Sequence, residues 1–447
     1  MPMQRRSLLK LGAAAALSPW AQLQALAAAA PAAGDYRALV CVFLFGGNDA
    51  NNLVVPTDTA AYAAYQRARP NLALTQDQLV PILADNAAGA GFGLHPALAP
   101  LQPLFAARQA AILANVGPLM VPTTQAQYQA RSVPLPDNLF SHSDQQGAWQ
   151  SAIVDAPPRT GWGGRLLERS VAEGSANRGY SAISVTGGNV WEAGDRTLLP
   201  YRVSSGGRFG FDFYNAAGDD PLSTAIRSLM AEPRSDPLEQ TWLNMMARSI
   251  DNQRILGEAL AASTFTTAFP DTGLGRQLRM VARLIGARGG LGLARQCFFC
   301  SLGGFDTHGD DQLQRQNENF AEMAGALAAF QAAIAEMALS QQVTLFTASD
   351  FGRTLASNGQ GSDHGWGSHH LVLGGSVRGG RMVGRFPTLV VGGPDDAGQG
   401  VWIPTTAVDQ LGGELARWFG ADPALADEVF PRLRYFDRDI GLMQVNS

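Results

Sequence analysis

Short apolar runs that stop at glycine or aspartate set the rhythm of this chain. Ala38–Phe45 (ALVCVFLF), Ala111–Val116, Ser181–Val185, Gln296–Leu302, Val343–Thr347 and Leu371–Leu373 are each almost continuously hydrophobic, and Thr388–Val391 is a further, weaker candidate. A strand with one wet face alternates apolar and polar residues, whereas a strand covered on both faces need not. These runs therefore predict a mostly parallel sheet packed on both sides. Gln312–Leu339 is rich in Ala, Leu, Glu, Gln and Met with apolar positions at helical spacing, and it leads into Val343. It predicts the helix of a strand–helix–strand unit. A shorter helix is expected at Ala407–Phe419.

Residues 187–220 break the rhythm. Trp191, Phe209, Phe211, Phe213 and Tyr214 stand among glycines without a helical period, so this segment reads as an irregular or β-hairpin insertion and a candidate lid. No repeat of roughly 20–50 residues is evident, and no low-complexity linker interrupts the chain beyond residue 34. The expectation is an α/β fold, a three-layer α/β/α sandwich forming a single domain over residues 35–447.

Residues 1–34 read as an export signal. Arg5-Arg6-Ser7-Leu8-Leu9-Lys10 precedes a mild apolar stretch, Leu11–Leu17, and then alanine-rich sequence with small-x-small cleavage options such as Ala25-Leu26-Ala27. The Arg-Arg-x-Leu-Leu-Lys arrangement resembles a twin-arginine signal, whose machinery exports proteins already folded. A periplasmic or secreted location follows as an expectation. No later run of about 18 apolar residues occurs, so no stable membrane insertion is expected after cleavage.

Composition narrows the chemistry. Of the 447 residues 46% are hydrophobic, enough for a full core, which excludes a disordered chain. The 33 basic residues include one lysine, Lys10, inside the leader. Lysine-based Schiff-base, pyridoxal phosphate and phosphate-loop chemistry is thereby excluded downstream. Beyond the leader 30 basic residues face 38 acidic ones, without an arginine track, so no nucleic acid partner is expected. Cys297 and Cys300 share one predicted strand, where three steps of about 3.3 Å place them roughly 10 Å apart on opposite faces. That exceeds disulfide reach, so both are expected in the core.

The polar motifs fall where the strands stop. Gly46-Gly47-Asn48-Asp49-Ala50-Asn51-Asn52 follows the first run, Gly303-Gly304-Phe305-Asp306-Thr307-His308 follows Gln296–Leu302, and Ser349-Asp350-Phe351-Gly352-Arg353-Thr354 follows Val343–Thr347. Sites in parallel α/β sheets form outside the carboxyl ends of the strands, so these turns can converge. Of six histidines, His142, His308, His364, His369 and His370 lie in polar segments, while His95 looks structural. Aspartate with neutral histidine suits Zn²⁺ or Mn²⁺, and carboxylates alone would suit Mg²⁺ or Ca²⁺. Helix capping and loop hydrogen bonds are the plainer role for each motif. Ser141 or Ser143, at a predicted helix start, offers a nucleophile or a simple N-cap.

Together these motifs resemble an exported bacterial family, "domain of unknown function 1501". The carrying residues are the twin-arginine leader, Phe45–Asn52, Ser141-His142 through Trp149, Gly161-Trp162-Gly163-Gly164-Arg165, Gly303–His308, Ser349–Thr354, Asn358 and Asp363-His364-Gly365. That family is grouped with the alkaline phosphatase-like superfamily, which includes sulfatases. The resemblance implies an exported hydrolase of phosphate or sulfate esters with one or two divalent metals. It implies Ser141 as nucleophile and Asp49, Asp306, His308, Asp350 and His364 as metal ligands. Arg353 would grip substrate oxygens, since a guanidinium matches phosphate or sulfate geometry, or would simply pair with a neighbouring aspartate; Asn48, His142, Asn358 and His369 would line the substrate, a small-molecule or polymer-borne anionic ester. Two departures stand out. Phe351 occupies the place of a metal-binding histidine, and the Asp306-to-His308 spacing is shorter than in phosphatases. A binding protein without catalysis is the alternative. An SGNH-type esterase fits less well, because the Asn-Asp block comes first and no Gly-Asp-Ser precedes it.

Overall fold

The computed structural model describes residues 36–87, 91–171, 178–206, 214–215 and 218–444. The leader, residues 1–34, lies outside them, as do parts of the 187–220 segment.

A nine-stranded sheet forms the middle layer. Its strands are β1 (Arg37–Leu44), β2 (Ala110–Gly117), β3 (Ala182–Ser184), β4 (Tyr201–Arg202), β5 (Arg295–Leu302), β6 (Val343–Ser349), β9 (Ser368–Leu373), β10 (Met382–Val383) and β11 (Thr406–Ala407). A separate hairpin is made of β7 (Arg353–Ser357) and β8 (Ser362–His364). The sheet order is β10-β2-β9-β6-β1-β5-β3-β4, with β11 also on β2. Every pairing is parallel except those of β9, which runs antiparallel to both β2 and β6. Thr388–Val391 does not form a strand. Val390 and Val391 are nearly half exposed, and without a neighbouring strand their β-propensity has nothing to pair with.

Alternation along β1 explains the three layers. Ala38, Val40, Val42 and Leu44 enter one core with α4 (Gly273–Gly286) and α5 (Gln312–Glu336). Leu39, Cys41 and Phe43 enter the other, with Trp149 of α2 (His142–Ser151), Trp162 of α3 (Trp162–Ser170) and Leu411 of α6 (Val408–Phe419). Cys297 and Cys300 likewise fall into opposite cores, and all three cysteines are free and buried. The unbroken apolar runs are thus the mark of burial on both faces.

The register places the site. Leu44 at the end of β1 pairs with Leu302 of β5 on one side and Ser349 of β6 on the other. Three parallel strands therefore end level, and the loops carrying Gly46–Asn52, Gly303–His308 and Asp350–Gly352 leave from one edge. Gly46 and Gly47, both with positive φ, let these loops touch. A Cβ on Gly46 would sit 2.3 Å from the Asp306 amide nitrogen, and one on Gly47 2.5 Å from the Phe351 ring.

Candidate metal centre

Four elements deliver one polar cluster. Asp306 and His308 come from the turn after β5, Asp350 from the end of β6, His364 from β8, and His142 is the first residue of α2. The hairpin brings His364 opposite Arg353. Around the Asp306 carboxylate, His308 Nε2 lies at 2.9 Å, His364 Nε2 at 3.3 Å and His142 Nε2 at 3.5 Å. Donor atoms of His142, Asp306 and His364 all lie within 4.8 Å of one another, and His308 Nε2 is 3.1 Å from His364 Nε2.

The far side of each imidazole decides what the near side offers. His142 Nδ1 meets Asp350 Oδ2 at 2.6 Å, His308 Nδ1 meets Asp363 Oδ1 at 3.2 Å, and His364 Nδ1 meets the Phe140 carbonyl at 2.9 Å. Carbonyl and ionised carboxylate oxygens only accept, so each Nδ1 carries the proton. With Nδ1 carrying its proton, a neutral ring would turn an Nε2 lone pair toward Asp306, whereas a charged ring would donate Nε2–H to it. Burial leads the effects that lower the His364 pKa below the usual histidine value. Burial would raise the Asp306 carboxyl, but the hydrogen bond and charge of Arg353, with His142 and His308, hold it below the usual range. Three imidazole Nε2 atoms and a carboxylate thus converge, and with the rings neutral they are the donor types that a cation would draw together. The donor set therefore fits a divalent metal, and its nitrogen content favours Zn²⁺ or Mn²⁺ over Ca²⁺.

Around the donors stands a shell that orients them. Asp350 is fully buried and accepts from Gln146 Nε2 at 2.9 Å and from the Gly46 amide at 3.2 Å, besides His142. Asn358 donates to Asp363 at 3.0 Å and to the His308 carbonyl at 3.3 Å, and its own Oδ1 accepts from the Gly361 amide. Phe351 is fully buried, with its ring centroid 4.9 Å from that of His142 and 4.4 Å from that of His364. It forms an apolar floor under the imidazoles.

Several sequence-based assignments move. Asp49 does not join the donors: its carboxylate accepts from both terminal nitrogens of buried Arg69, from Gln312 and from Asn51. Asp350 meets His142 Nδ1 rather than converging with the four, and His142, expected at the substrate, lies with Asp306 and His364 among the grouped donor atoms. Arg353 is buried, and its N–H groups go to Asp306 and to the carbonyls of Gly46, Thr307 and Ser362. A guanidinium so engaged is not free to grip substrate. His369 is buried, accepts from the Asn115 amide at 3.0 Å and stacks on Phe386, which removes it from substrate. Asn48 is also fully buried, and neither side-chain amide atom has a partner. Asn358 acts through the hairpin turn. Ser141 is the N-cap of α2 without capping it, its Oγ 3.2 Å from Ser143 Oγ. His95 accepts from the Ala97 amide, edge-on to Phe320, in the structural role expected.

Sequence reasoning did not single out Asp363, Gln146 and Phe140 as supports. Asp363 carried a signal, since it precedes His364. The Phe140 contact is made by a backbone carbonyl, which no residue identity reveals.

No curated protein sequence matches the chain. Among solved structures it is similar to a 2-O GAG sulfatase, with 13% identity over 89% of this chain and 74% of that one and a TM-score of 0.31. It is also similar to a putative sulfatase from Bacteroides thetaiotaomicron, with 12% identity over 89% and 75% and a TM-score of 0.30. A sulfatase from Pseudoalteromonas sp. matches with 10% identity over 95% and 76% and a TM-score of 0.33. Likeness this distant assigns neither residue nor activity. A family model does match, over residues 36–396, and the chain belongs to the family described as "protein of unknown function (DUF1501)".

Proposed function

We propose that the protein is an exported, metal-dependent hydrolase of anionic esters, phosphate or sulfate, built on one metal held by His142, Asp306, His308 and His364. The observation that carries this reading is the convergence of three Nε2 atoms on the Asp306 carboxylate. When bound, the cation supplies Lewis acidity toward an ester oxygen.

The chain's own groups supply the rest. Asp350, Asp363 and the Phe140 carbonyl fix each imidazole so that its Nε2 faces the centre. Gln145 donates its amide to the Ser141 carbonyl as the first helical bond of α2. The amides of residues 142–144 therefore lack helical partners, and Ser141 does not cap them. They present partial positive charge beside His142, where an ester oxyanion would sit. The Ser141 hydroxyl adjoins the same ligand. As nucleophile it would form an Oγ–phosphorus or Oγ–sulfur bond as the ester's bond to the alcohol oxygen breaks, the hydroxyl proton leaving with the alcohol; water would then cleave the new bond and return a proton to Oγ. Arg353 holds Asp306 in place instead of touching substrate.

Zn²⁺- and Mn²⁺-loaded protein should hydrolyse 4-nitrophenyl phosphate or sulfate, with loss of at least about 100-fold in Ser141→Ala at unchanged metal content. Metal-loaded protein inert toward both esters would overturn the hydrolase reading. Export by the twin-arginine route is part of the proposal, and Arg5→Lys/Arg6→Lys should leave the protein in the cytoplasm. No helix among the described residues is long and apolar enough to cross a membrane.

A further inference from the structure

A cleft of about 770 Å³ is lined by residues between Tyr128 and Phe140. Its rim is joined to the centre. The Phe140 carbonyl holds His364 Nδ1, while the Phe140 side chain is 43% exposed and lines the cleft. Phe140 thus touches the cleft with its side chain and a candidate metal ligand with its backbone. The wall is stiff: Gln145 of α2 donates to the carbonyls of Asp137 and Asn138, and the Asp137 amide donates to the Val154 carbonyl.

The lining has a distinct chemistry. Tyr128 and Phe140 offer aromatic rings, and exposed Arg131, Asp137 and Asn138 stand around them. Among the described residues the Arg131 side chain makes no hydrogen bond or ion pair, so its donors are available. Arg131 ends α1 (Gln125–Ala130) with φ of 48°, and Asn138 has φ of 46°. Left-handed backbone at a non-glycine residue costs energy and gathers at binding sites. Two such residues line this one cleft. Rings for stacking, with one guanidinium and one carboxylate of opposite sign, suit a neutral ring bearing hydroxyl groups better than a second anion.

We propose that this cleft binds the alcohol half of the ester, a ring-bearing, hydroxylated group, while the anionic half lies at the metal. The proposal rests on the hydrolase reading above. The cleft's volume is within the range of small-molecule sites, about 300–1,000 Å³, and would hold more than one ring.

The test uses metal-loaded protein and three ligands that cannot be hydrolysed: methylphosphonate, benzylphosphonate and 4-hydroxybenzylphosphonate, each titrated calorimetrically. Affinity should rise about tenfold from the first to the second, a ring contact, and about threefold more for the third. Phe140→Leu, which keeps the backbone carbonyl facing His364, should remove the first step, read as loss of the affinity ratio between benzylphosphonate and methylphosphonate in the same variant. Arg131→Asn, which tolerates the left-handed backbone, should remove only the second step. Equal affinity for all three ligands, or a ladder that survives these substitutions, would overturn the cleft assignment and leave the metal-centre reading standing. Failure of metal-loaded protein to bind any of them, methylphosphonate included, would overturn the anionic-ester reading and the cleft proposal with it.

Discussion

Asp306 is the residue on which three imidazoles and one guanidinium meet, and its neighbours divide by what they touch. Removing a donor should cost more metal affinity than removing an orienting group. Asp306→Asn should abolish stoichiometric binding, while Asp350→Asn, which leaves all four donors, should weaken it about 10–100-fold, as metal-competition titration would resolve. Arg353→Met would strip Asp306 and three carbonyls of their buried donor, at a cost of roughly 2–4 kcal/mol in urea unfolding. Aspartate and histidine at strand ends were legible as candidates in the sequence. Which aspartate does what was not, because Asp49 and Asp350 follow equivalent strands and differ only in what reaches them. Arg69 lies in a different element, 20 positions on, and takes Asp49. No local pattern announces such a partner.

At the scale of elements, the strand ends and the small hairpin position the donors. Gly47 packs against the Phe351 ring with φ of 87°, so Gly47→Ala combines backbone strain with a clash. It should destabilise the protein by roughly 2–4 kcal/mol and disturb the floor under His142 and His364. A lowered urea midpoint together with reduced metal content would check this. The doubly buried strands were read from unbroken apolar runs, because burial on both faces leaves that mark. The direction of β9 was not read. Its Leu371–Leu373 run is as apolar as a parallel strand, and only its pairing with β2 and β6 reverses it. Thr388–Val391 shows the converse, β-prone residues without a partner strand.

The whole molecule carries buried titrating groups of both kinds, which shape its stability with pH. Burial pushes His95 down to about 4 and His369 and His370 each down to about 3. With folded values below the unfolded one near 6.5, their contribution is complete above that pH and is lost as the medium falls toward 3–4. Burial pushes Glu192 up to about 8 and Asp409 up to about 7. Their contribution is present below about pH 4 and is lost as pH rises through 7–8. Thermal unfolding should therefore show an optimum near pH 6, and Glu192→Gln should flatten the alkaline limb; an unchanged limb would refute that assignment. The three-layer fold was legible from hydrophobic pattern alone, whereas the grouping of the donors depends on the turn after β5, the β7–β8 hairpin and the start of α2 meeting at one sheet edge. The most direct test of that grouping is elemental analysis of purified, folded protein beside His142→Ala, Asp306→Ala and Asp49→Ala. The account predicts about one zinc or manganese per chain in the wild type, lost in the first two variants and kept in Asp49→Ala whenever that variant folds. Absence of metal from folded wild type, or metal retained in His142→Ala and Asp306→Ala, would contradict it.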